Sequence, residues 1–343
     1  MGKQKKTILV TGGCGYIGSH TIIDLLDKGY EVVSVDNLVN STEDSLDRIK
    51  AVTGKRVVNE RIDLCDFSAL RQIFKRHPNV SGIVHFAALK SVGESVQQPL
   101  RYYENNITGL VNLLRCARDF GVREFVFSSS CSVYGNAEEL PVTEETPLQE
   151  AESPYGRTKQ MGEDICRDFV AAHPEHRCVL LRYFNPAGAH ESGLIGEAPG
   201  KEPENLVPVI MDAALGVRGE VVVFGDDYPT RDGSCIRDYI HIMDLAEAHS
   251  LALAFAEKAP EGTCEVFNVG SGTGTTVLEA IAAFERSTGV ELPWRIGPRR
   301  PGDVVAIYAN YDKAARLLGW QPRRSMDDIM RTAWAWAGRW RED

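Results

Sequence analysis

Apolar and polar positions follow two different periods along the first half of the chain. Short runs rich in Val, Ile and Phe predict buried β-strands at residues 7–10, 32–35, 56–61, 82–86, 125–127 and 179–181. Longer stretches between them, such as residues 100–120 and 155–171, repeat apolar side chains at helical spacing. Repeated alternation of strand and helix is typical of a parallel sheet covered by helices on both faces. The pattern therefore predicts an α/β protein with a doubly wound parallel sheet.

This rhythm changes near residue 185, where loops rich in Gly and Pro begin to separate a smaller set of elements. We predict these elements at residues 205–215, 221–224, 244–256, 277–288 and 325–340. The chain is therefore divided into a first domain of residues 1–185 and a smaller C-terminal domain of residues 186–343. Residues 266–269 again have the pattern of a buried strand, which could return to the first sheet.

The charge balance of 38 basic against 48 acidic side chains gives the 343 residues a net charge of −10. This balance disfavours nucleic acid and anionic membranes as partners. No apolar run approaches the ~20 residues that cross a bilayer. The first residues, MGKQKK, lead into a strand pattern rather than the apolar core of a secretion signal. This start favours a cytoplasmic protein. Eight scattered cysteines without a CxxC pair or Cys/His ligand spacing predict reduced thiols and no metal site.

A glycine-rich turn joins the first predicted strand to a helix in TILVTGGCGYIGSH, residues 7–20. Gly12, Gly15 and Gly18 are three apart, and Gly13 with Gly15 and Gly18 forms the common GxGxxG fingerprint. Glycines let the backbone turn sharply and approach a pyrophosphate, which the N-terminus of the next helix attracts. The strand, turn and helix together predict a dinucleotide site in a Rossmann-type fold.

Two acidic residues end the next two predicted strands. Asp36 follows the second strand, where a carboxylate bonds an adenosine ribose and repels a 2′-phosphate, so NAD is favoured over NADP. The alternative for Asp36 is a cap for a helix that begins after Asn40. Asp63 ends the third strand and could meet the adenine, while Asp66 could equally make this segment a helix N-terminus.

Tyr155 and Lys159 are four residues apart in a predicted helix, which places both on one face. A phenol is a poor base at neutral pH, and an adjacent ammonium favours its phenolate. The pair could therefore serve as a general base. By itself the spacing is more typical of an amphipathic helix surface, but here it follows both a dinucleotide fingerprint and the run Ser128-Ser129-Ser130.

Several longer motifs carry a family resemblance. TGGCGYIGSH (11–20), FSSSCSVYG (127–135) and YGRTK (155–159) resemble the extended short-chain dehydrogenase/reductase superfamily. Within it, the chain is similar to the UDP-glucose 4-epimerase family through HFAALKSVGES (85–95), YYENN (102–106), LRYFNPAGAH (181–190), RDYIHIMDLA (237–246) and RRPGD (299–303). The resemblance spans almost the whole chain. It implies interconversion of UDP-glucose and UDP-galactose on tightly held NAD, an NAD-binding first domain, a UDP-sugar-binding second domain, and a homodimer joined by residues 100–120 and 155–171.

The resemblance also implies roles for individual residues. Tyr155 would take the proton of the sugar 4-hydroxyl, and Lys159 would lower the pKa of Tyr155 and hold the nicotinamide ribose. Ser130 would bond the 4-oxygen, with Ser132 where the family often has Thr. Further cofactor contacts would be Gly12, Tyr16, Ile17, Asp36, Asn37, Asp63, Leu64, Phe86, Ala87, Lys90, Asn105 and Phe184. UDP would be held by Asn185, Asn205, Leu206, Val222, Phe224, Arg237, Tyr239, Arg300 and Asp303.

Other functions remain open at this level. A 4,6-dehydratase is disfavoured because Cys131 and Ser132 stand where that activity uses an Asp-Glu pair. Turnover of N-acetylhexosamine or glucuronate forms of the UDP-sugar is an alternative. In the resembled family, the size of the residue at position 307 governs acceptance of N-acetyl groups, and Ile307 is intermediate in size. A nucleotide sensor without activity is a further alternative, although the Tyr155/Lys159 pair is intact. Taken alone, Lys90, Arg237 and Arg300 could be solvated surface charges.

Overall fold

The computed structural model describes residues 5–198, 203–300 and 303–340. Part of the basic start of the chain and two residues of the RRPGD motif, Pro301 and Gly302, lie outside this description. Fourteen strands occupy the described residues: β1 (Thr7–Thr11), β2 (Glu31–Val35), β3 (Val58–Glu60), β4 (Val80–His85), β5 (Glu124–Ser128), β6 (Arg177–Tyr183), β7 (Asn185–Ala187), β8 (Val221–Phe224), β9 (Ile236–Arg237), β10 (Tyr239–His241), β11 (Cys264–Val269), β12 (Thr275–Thr276), β13 (Trp294–Gly297) and β14 (Ala306–Ile307).

The same part of the chain contains eleven α-helices: α1 (Tyr16–Asp27), α2 (Asp44–Thr53), α3 (Phe67–Arg76), α4 (Val92–Gln97), α5 (Pro99–Phe120), α6 (Pro154–Ala172), α7 (Leu206–Ala214), α8 (Ile242–Ala256), α9 (Val277–Thr288), α10 (Asp312–Leu318) and α11 (Met326–Trp340). A short 3₁₀ helix, Cys131–Tyr134, follows β5. Pro stands in the first turn of α5 and of α6, where its missing N–H costs no helical hydrogen bond.

A seven-stranded parallel sheet forms the centre of the molecule, in the order β11-β6-β5-β4-β1-β2-β3. This confirms the predicted α/β fold with a doubly wound sheet. Strand β11 comes from the second half of the chain and pairs with β6 at one edge. The two halves therefore share one sheet.

Alternate side chains of the strands enter two separate cores. Ile8 and Val10 of β1 face a core that includes Ile23 of α1 and Leu253 of α8. Leu9 between them faces the opposite core with α3, α5 and α6. This alternation is the two-residue period of a strand that is buried on both faces.

A third core lies in the second half, where α7, α9 and α11 pack with β8. Trp336 of α11 is buried and its ring N–H donates to the carbonyl of Glu197 at 2.8 Å. Trp334 packs edge-to-face on Phe284 with ring centroids 5.6 Å apart. These two tryptophans therefore stabilise the C-terminal packing.

All eight cysteines are described, and each is a free thiol. His85 is buried, and its Nδ1 lies 2.7 Å from the Thr11 hydroxyl, so it is a core residue with a polar partner. Within the described ranges, no helix is long and apolar enough to cross a membrane.

The predicted cofactor residues share one edge of the sheet. Gly12 follows β1, Asp36 follows β2, Phe86 follows β4 and Ser130 follows β5. The carboxyl ends of parallel strands open together, and the crevice beyond them is the usual ligand site of a doubly wound sheet.

Candidate active site

The glycine turn brings three segments of backbone into close contact. Gly12 has a φ of +70°, and a Cβ on it would lie 2.9 Å from the backbone nitrogen of Ala87. A Cβ on Gly18 would overlap the carbonyl oxygen of Gly12. Helix α1 begins directly after Gly15 and has no side-chain cap. The turn therefore leaves the helix N-terminus open to an anionic group, which fits the pyrophosphate of a dinucleotide.

Asp36 is buried and organises the loop after β2. One carboxylate oxygen accepts the backbone N–H of Cys14 at 3.1 Å. The other accepts the N–H of Leu38 at 2.9 Å and the hydroxyl of Ser41 at 2.8 Å. Because α2 begins later, at Asp44, Asp36 is not its cap and that alternative is wrong.

Asp63 and Asp66 have separate positions. Asp66 is the N-cap of α3 and accepts the Ala69 N–H at 2.9 Å. Asp63 accepts a hydrogen bond from the side-chain amide of Asn37 at 3.2 Å, so these two predicted cofactor contacts adjoin. The helix cap of this segment is therefore Asp66, and the contact of Asp63 with the adenine stays a prediction.

The structure gathers the predicted catalytic residues where α6 meets the end of β5. Lys159 is 6% exposed and its ammonium donates to the Ser128 carbonyl at 2.7 Å. The same ammonium lies 5.8 Å from the centre of the Tyr155 ring. Ser130 Oγ accepts the N–H of Ser132 at 3.2 Å and adjoins Tyr155.

The pKa of Tyr155 differs from the sequence-based expectation. Desolvation raises the pKa of Tyr155 to about 12, and the Ser130 hydroxyl only partly opposes this effect. Lys159 directs its ammonium to a carbonyl oxygen rather than to the phenol. Burial also lowers the pKa of Lys159 to about 8. In the protein alone, Tyr155 is therefore a phenol at neutral pH, and the expected lowering by Lys159 is not seen.

One buried polar atom near these groups has no partner. The hydroxyl of Ser132 is enclosed and makes no hydrogen bond. An unsatisfied buried hydroxyl costs free energy, so such an atom in a cleft marks a place where a ligand hydroxyl fits.

Two arginines predicted to hold a diphosphate meet at one carboxylate. Arg300 forms a fork on Asp303 at 2.7 and 3.2 Å, and Arg237 lies 3.5 Å from the same carboxylate. The Arg300 guanidinium also lies 5.5 Å from the ring centre of Phe224, which is 39% exposed. Arg237 pairs through the backbone with Ile307 across β9 and β14. The second half thus presents positive charge, an aromatic face and a buried aliphatic side chain together.

Sequence reasoning missed Glu197, which connects predicted cofactor and substrate residues. Its carboxylate lies 3.7 Å from the ammonium of Lys90 and interacts with the side chain of Asn205. Burial raises the pKa of Glu197, although Lys90 and Asn205 oppose this. Glu197 also lies near enough to Tyr16 to raise the pKa of that phenol further, beyond the effect of burial. A carboxylate more than 100 residues from Lys90 gives no local signal in the sequence.

The other predicted residues lie on the same elements. Tyr16 donates to the Gly188 carbonyl at 2.6 Å, and Phe86 packs against His249 with centroids 4.6 Å apart. Tyr239 is buried in the third core, with Arg237 and Asp303 as its charged neighbours. The remaining contacts predicted for the cofactor or UDP are spread over several elements: Ile17 in the first turn of α1, Leu64 in the loop between β3 and α3, Asn105 within α5, Phe184 between β6 and β7, Asn185 on β7, Leu206 at the start of α7 and Val222 on β8.

Comparison with known proteins gives the family. The family model described as GDP-mannose 4,6 dehydratase matches residues 9–333. UDP-glucose 4-epimerase 2 of Arabidopsis thaliana is 48% identical over 335 residues, which are 97% of this chain and 95% of that protein. The chain belongs to the UDP-glucose 4-epimerase family. The match to the dehydratase family model agrees with the predicted membership of the extended short-chain dehydrogenase/reductase superfamily.

Two solved members of this family share the complete architecture. UDP-glucose 4-epimerase from Bifidobacterium longum, in complex with NAD+ and UDP, has 45% identity and a TM-score of 0.92, covering 97% of this chain and 98% of its own. The Stenotrophomonas maltophila epimerase, with bound NAD and formylated UDP-arabinopyranose, has 45% identity and a TM-score of 0.95, covering 98% and 99%.

The glycine geometry generates a direct test. In Gly18→Ala the new methyl group would overlap the Gly12 carbonyl and displace the turn. We expect the purified variant to retain much less dinucleotide than the parent protein, measured by absorbance and enzymatic assay of the released cofactor. Gly93→Ala in α4 is the matched control, since a Cβ there has no neighbour within 4 Å. Equal retention in Gly18→Ala and the parent would contradict the assignment of this turn.

Proposed function

We propose that the chain catalyses the reversible C4 epimerisation of UDP-glucose and UDP-galactose through a transient 4-keto sugar, with NAD tightly bound. The observation that carries this proposal is the meeting of Tyr155, Lys159 and Ser130 at the carboxyl edge of the sheet, in a chain of the epimerase family. The open N-terminus of α1, the Asp36 loop and the unpartnered Ser132 hydroxyl fit the cofactor and a sugar hydroxyl.

NAD, when bound, supplies a hydride acceptor at sugar C4 and returns the same hydride, so the reaction has no net redox change. Tyr155 exchanges the proton of the sugar 4-hydroxyl, as general base in one half-reaction and general acid in the other. A pKa of about 12 keeps Tyr155 protonated in the protein alone, so its function as a base needs a further positive charge nearby.

Lys159 supplies fixed positive charge and a donor next to this phenol. Its pKa of about 8 leaves it mostly protonated at pH 7, and its bond to the Ser128 carbonyl fixes its direction. Ser130 orients the sugar 4-oxygen beside Tyr155. The Ser132 hydroxyl offers a further hydrogen bond to the same ligand.

The UDP group is held by the second half. Arg237 and Arg300 present guanidinium forks that suit phosphate oxygens, and both already meet at Asp303. The exposed Phe224 offers a face for the uracil ring. Firm contacts thus concentrate on the nucleotide, which leaves the hexose free to turn between the two half-reactions.

Dehydration is not supported, although the matching family model has a dehydratase description. Expulsion of the sugar 6-hydroxyl needs an acid and a base next to the catalytic serine. Cys131 and Ser132 follow Ser130, and burial raises the pKa of the Cys131 thiol to about 12. Neither group can readily exchange a proton at neutral pH.

We further assign residues 1–185 to NAD binding and residues 186–343 to UDP-sugar binding, in a homodimer in the cytoplasm. Hydrophobic side chains on the proposed dimer helices support the seam: Val111 of α5 is exposed, and Ile107, Met161 and Ile165 are half-buried. The eight free thiols support a reducing compartment.

Ile307 sets the proposed substrate range. It is buried in a cluster with Tyr134 and Phe184, and it lies opposite Arg237. We expect the purified enzyme to prefer UDP-glucose and UDP-galactose to the N-acetylated pair, measured as kcat/KM. Ile307→Ala should raise the relative rate on the N-acetylated pair by about tenfold, because the pocket loses most of a side chain. A parent enzyme that prefers the acetylated pair would refute this assignment.

Removal of one oxygen tests the chemistry. Tyr155→Phe should lower kcat by about 10²–10⁴-fold because the proton relay is lost. UDP binding and cofactor content should be nearly unchanged, measured by calorimetry and absorbance. Tyr102→Phe is the control, since Tyr102 of α5 is another phenol, and its hydroxyl donates to Glu94 at 2.8 Å.

The same assay separates the enzyme from a nucleotide sensor. If the parent protein neither turns over UDP-galactose nor shows reduction of its bound NAD with UDP-sugar, a sensor is favoured. If Tyr155→Phe retains full activity, Tyr155 is not the acid and base.

A further inference from the structure

Three successive turns of α6 contact three successive residues at the end of β5. Lys159 donates to the Ser128 carbonyl, and Tyr155, one turn earlier, adjoins the Ser130 hydroxyl. Glu163, one turn later, accepts the Ser129 hydroxyl at 2.5 Å. Residues four apart share one helix face, so this face of α6 meets the serine run as a unit.

Glu163 is fully buried, and its carboxylate accepts several hydrogen bonds from neighbouring side chains. Arg182 of β6 forms a two-bond fork on it, at 2.8 and 2.7 Å. Arg167 adds a third cationic bond at 2.8 Å. Burial raises the pKa of Glu163, but Arg182 and the other donors outweigh this and hold the pKa below its usual value. The group is therefore a buried carboxylate ion.

Arg182 is itself held from the opposite side. It donates to the Tyr134 hydroxyl at 3.1 Å, and that hydroxyl donates to the side chain of Asn268 at 2.6 Å. Asn268 belongs to β11 and also donates to the Val142 carbonyl at 3.0 Å. The carboxylate of Glu163 thus ties α6 to β6 and β11 as well as to the serine run.

We propose that Glu163 is a positioning residue for the epimerase reaction, one that fixes the distance and rotation of α6 against the end of β5 through Ser129 and Arg182. It acts through Tyr155, Lys159 and Ser130 rather than on the substrate, because it is fully buried two helical turns from Tyr155. The proposal rests on the proposed function. A displacement of the reacting atoms by about 1 Å lowers the rate on the order of 100-fold. Residues that hold α6 rigidly in place therefore contribute to the rate without touching the substrate.

Glu163→Gln tests this with the holoenzyme. Gln keeps the size of the side chain but loses the charge that holds Arg182. We expect kcat for UDP-galactose to fall by about 100-fold, while KM and the NAD content per folded chain stay within about twofold of the parent. The single-turnover rate of bound NAD reduction should fall by the same factor as kcat.

Asp244→Asn is the matched control for a purely structural effect. Asp244 of α8 is also a fully buried carboxylate with an arginine partner, Arg324 at 2.5 Å, but its other hydrogen bonds come from the backbone of Arg323 and Arg324 rather than from the serine run. This variant should lose thermal stability and keep the kcat of the parent below its melting temperature.

A milder variant keeps the proposal testable if Glu163→Gln does not fold. Ser129→Ala removes only the bond between Glu163 and the serine run, and we expect kcat to fall by about tenfold with KM unchanged.

Parent-like kcat in both folded variants would overturn the role of Glu163, as would equal losses of kcat in Asp244→Asn. If Tyr155→Phe is inactive while these variants are fully active, the positioning role fails and the proposed function stands. Full activity of Tyr155→Phe would refute the proposed function itself.

Discussion

The site depends on the bond between the Lys159 ammonium and the Ser128 carbonyl. This bond joins a helix to the carboxyl end of a central strand, and the Lys159 side chain that makes it is buried. A buried ammonium needs an oxygen partner. Once that partner is fixed, the turn before Lys159 must place Tyr155 over Ser130, and the turn after it must place Glu163 against Ser129. The Lys159 bond therefore anchors α6 on the sheet, and the bonds of Glu163 hold the same helix face one turn later.

In the proposed function, the two halves of the chain contribute different kinds of contact to the crevice. The first half supplies backbone: open N–H groups at α1, a glycine turn that fits no larger residue, and a carboxylate, Asp36, that fixes the loop beside them. The second half supplies charge and an aromatic face through Arg237, Arg300 and Phe224. Because β11 joins the central sheet, both walls belong to one framework. Glu197 contacts residues of both walls and lies where they meet.

The parts of this structure that follow local rules could be predicted from the sequence. Buried strands and their order of alternation, the glycine turn and the Tyr155/Lys159 face all arise from spacing within a few residues. Other features come from distant segments: Arg182 against Glu163, and Glu197 between Lys90 and Asn205. Spacing also placed Tyr155 near Lys159 but could not show how far desolvation would raise the pKa of Tyr155. That effect depends on the packing of the whole crevice.

The most direct test of the central claim is a crystal structure of this protein with NAD and UDP-galactose bound to Tyr155→Phe. We expect the nicotinamide ring to lie beside residue 155, the sugar 4-oxygen within about 3 Å of Ser130 Oγ, and the Lys159 ammonium still on the Ser128 carbonyl. A hexose bound elsewhere, or a nicotinamide ring far from residue 155, would contradict it.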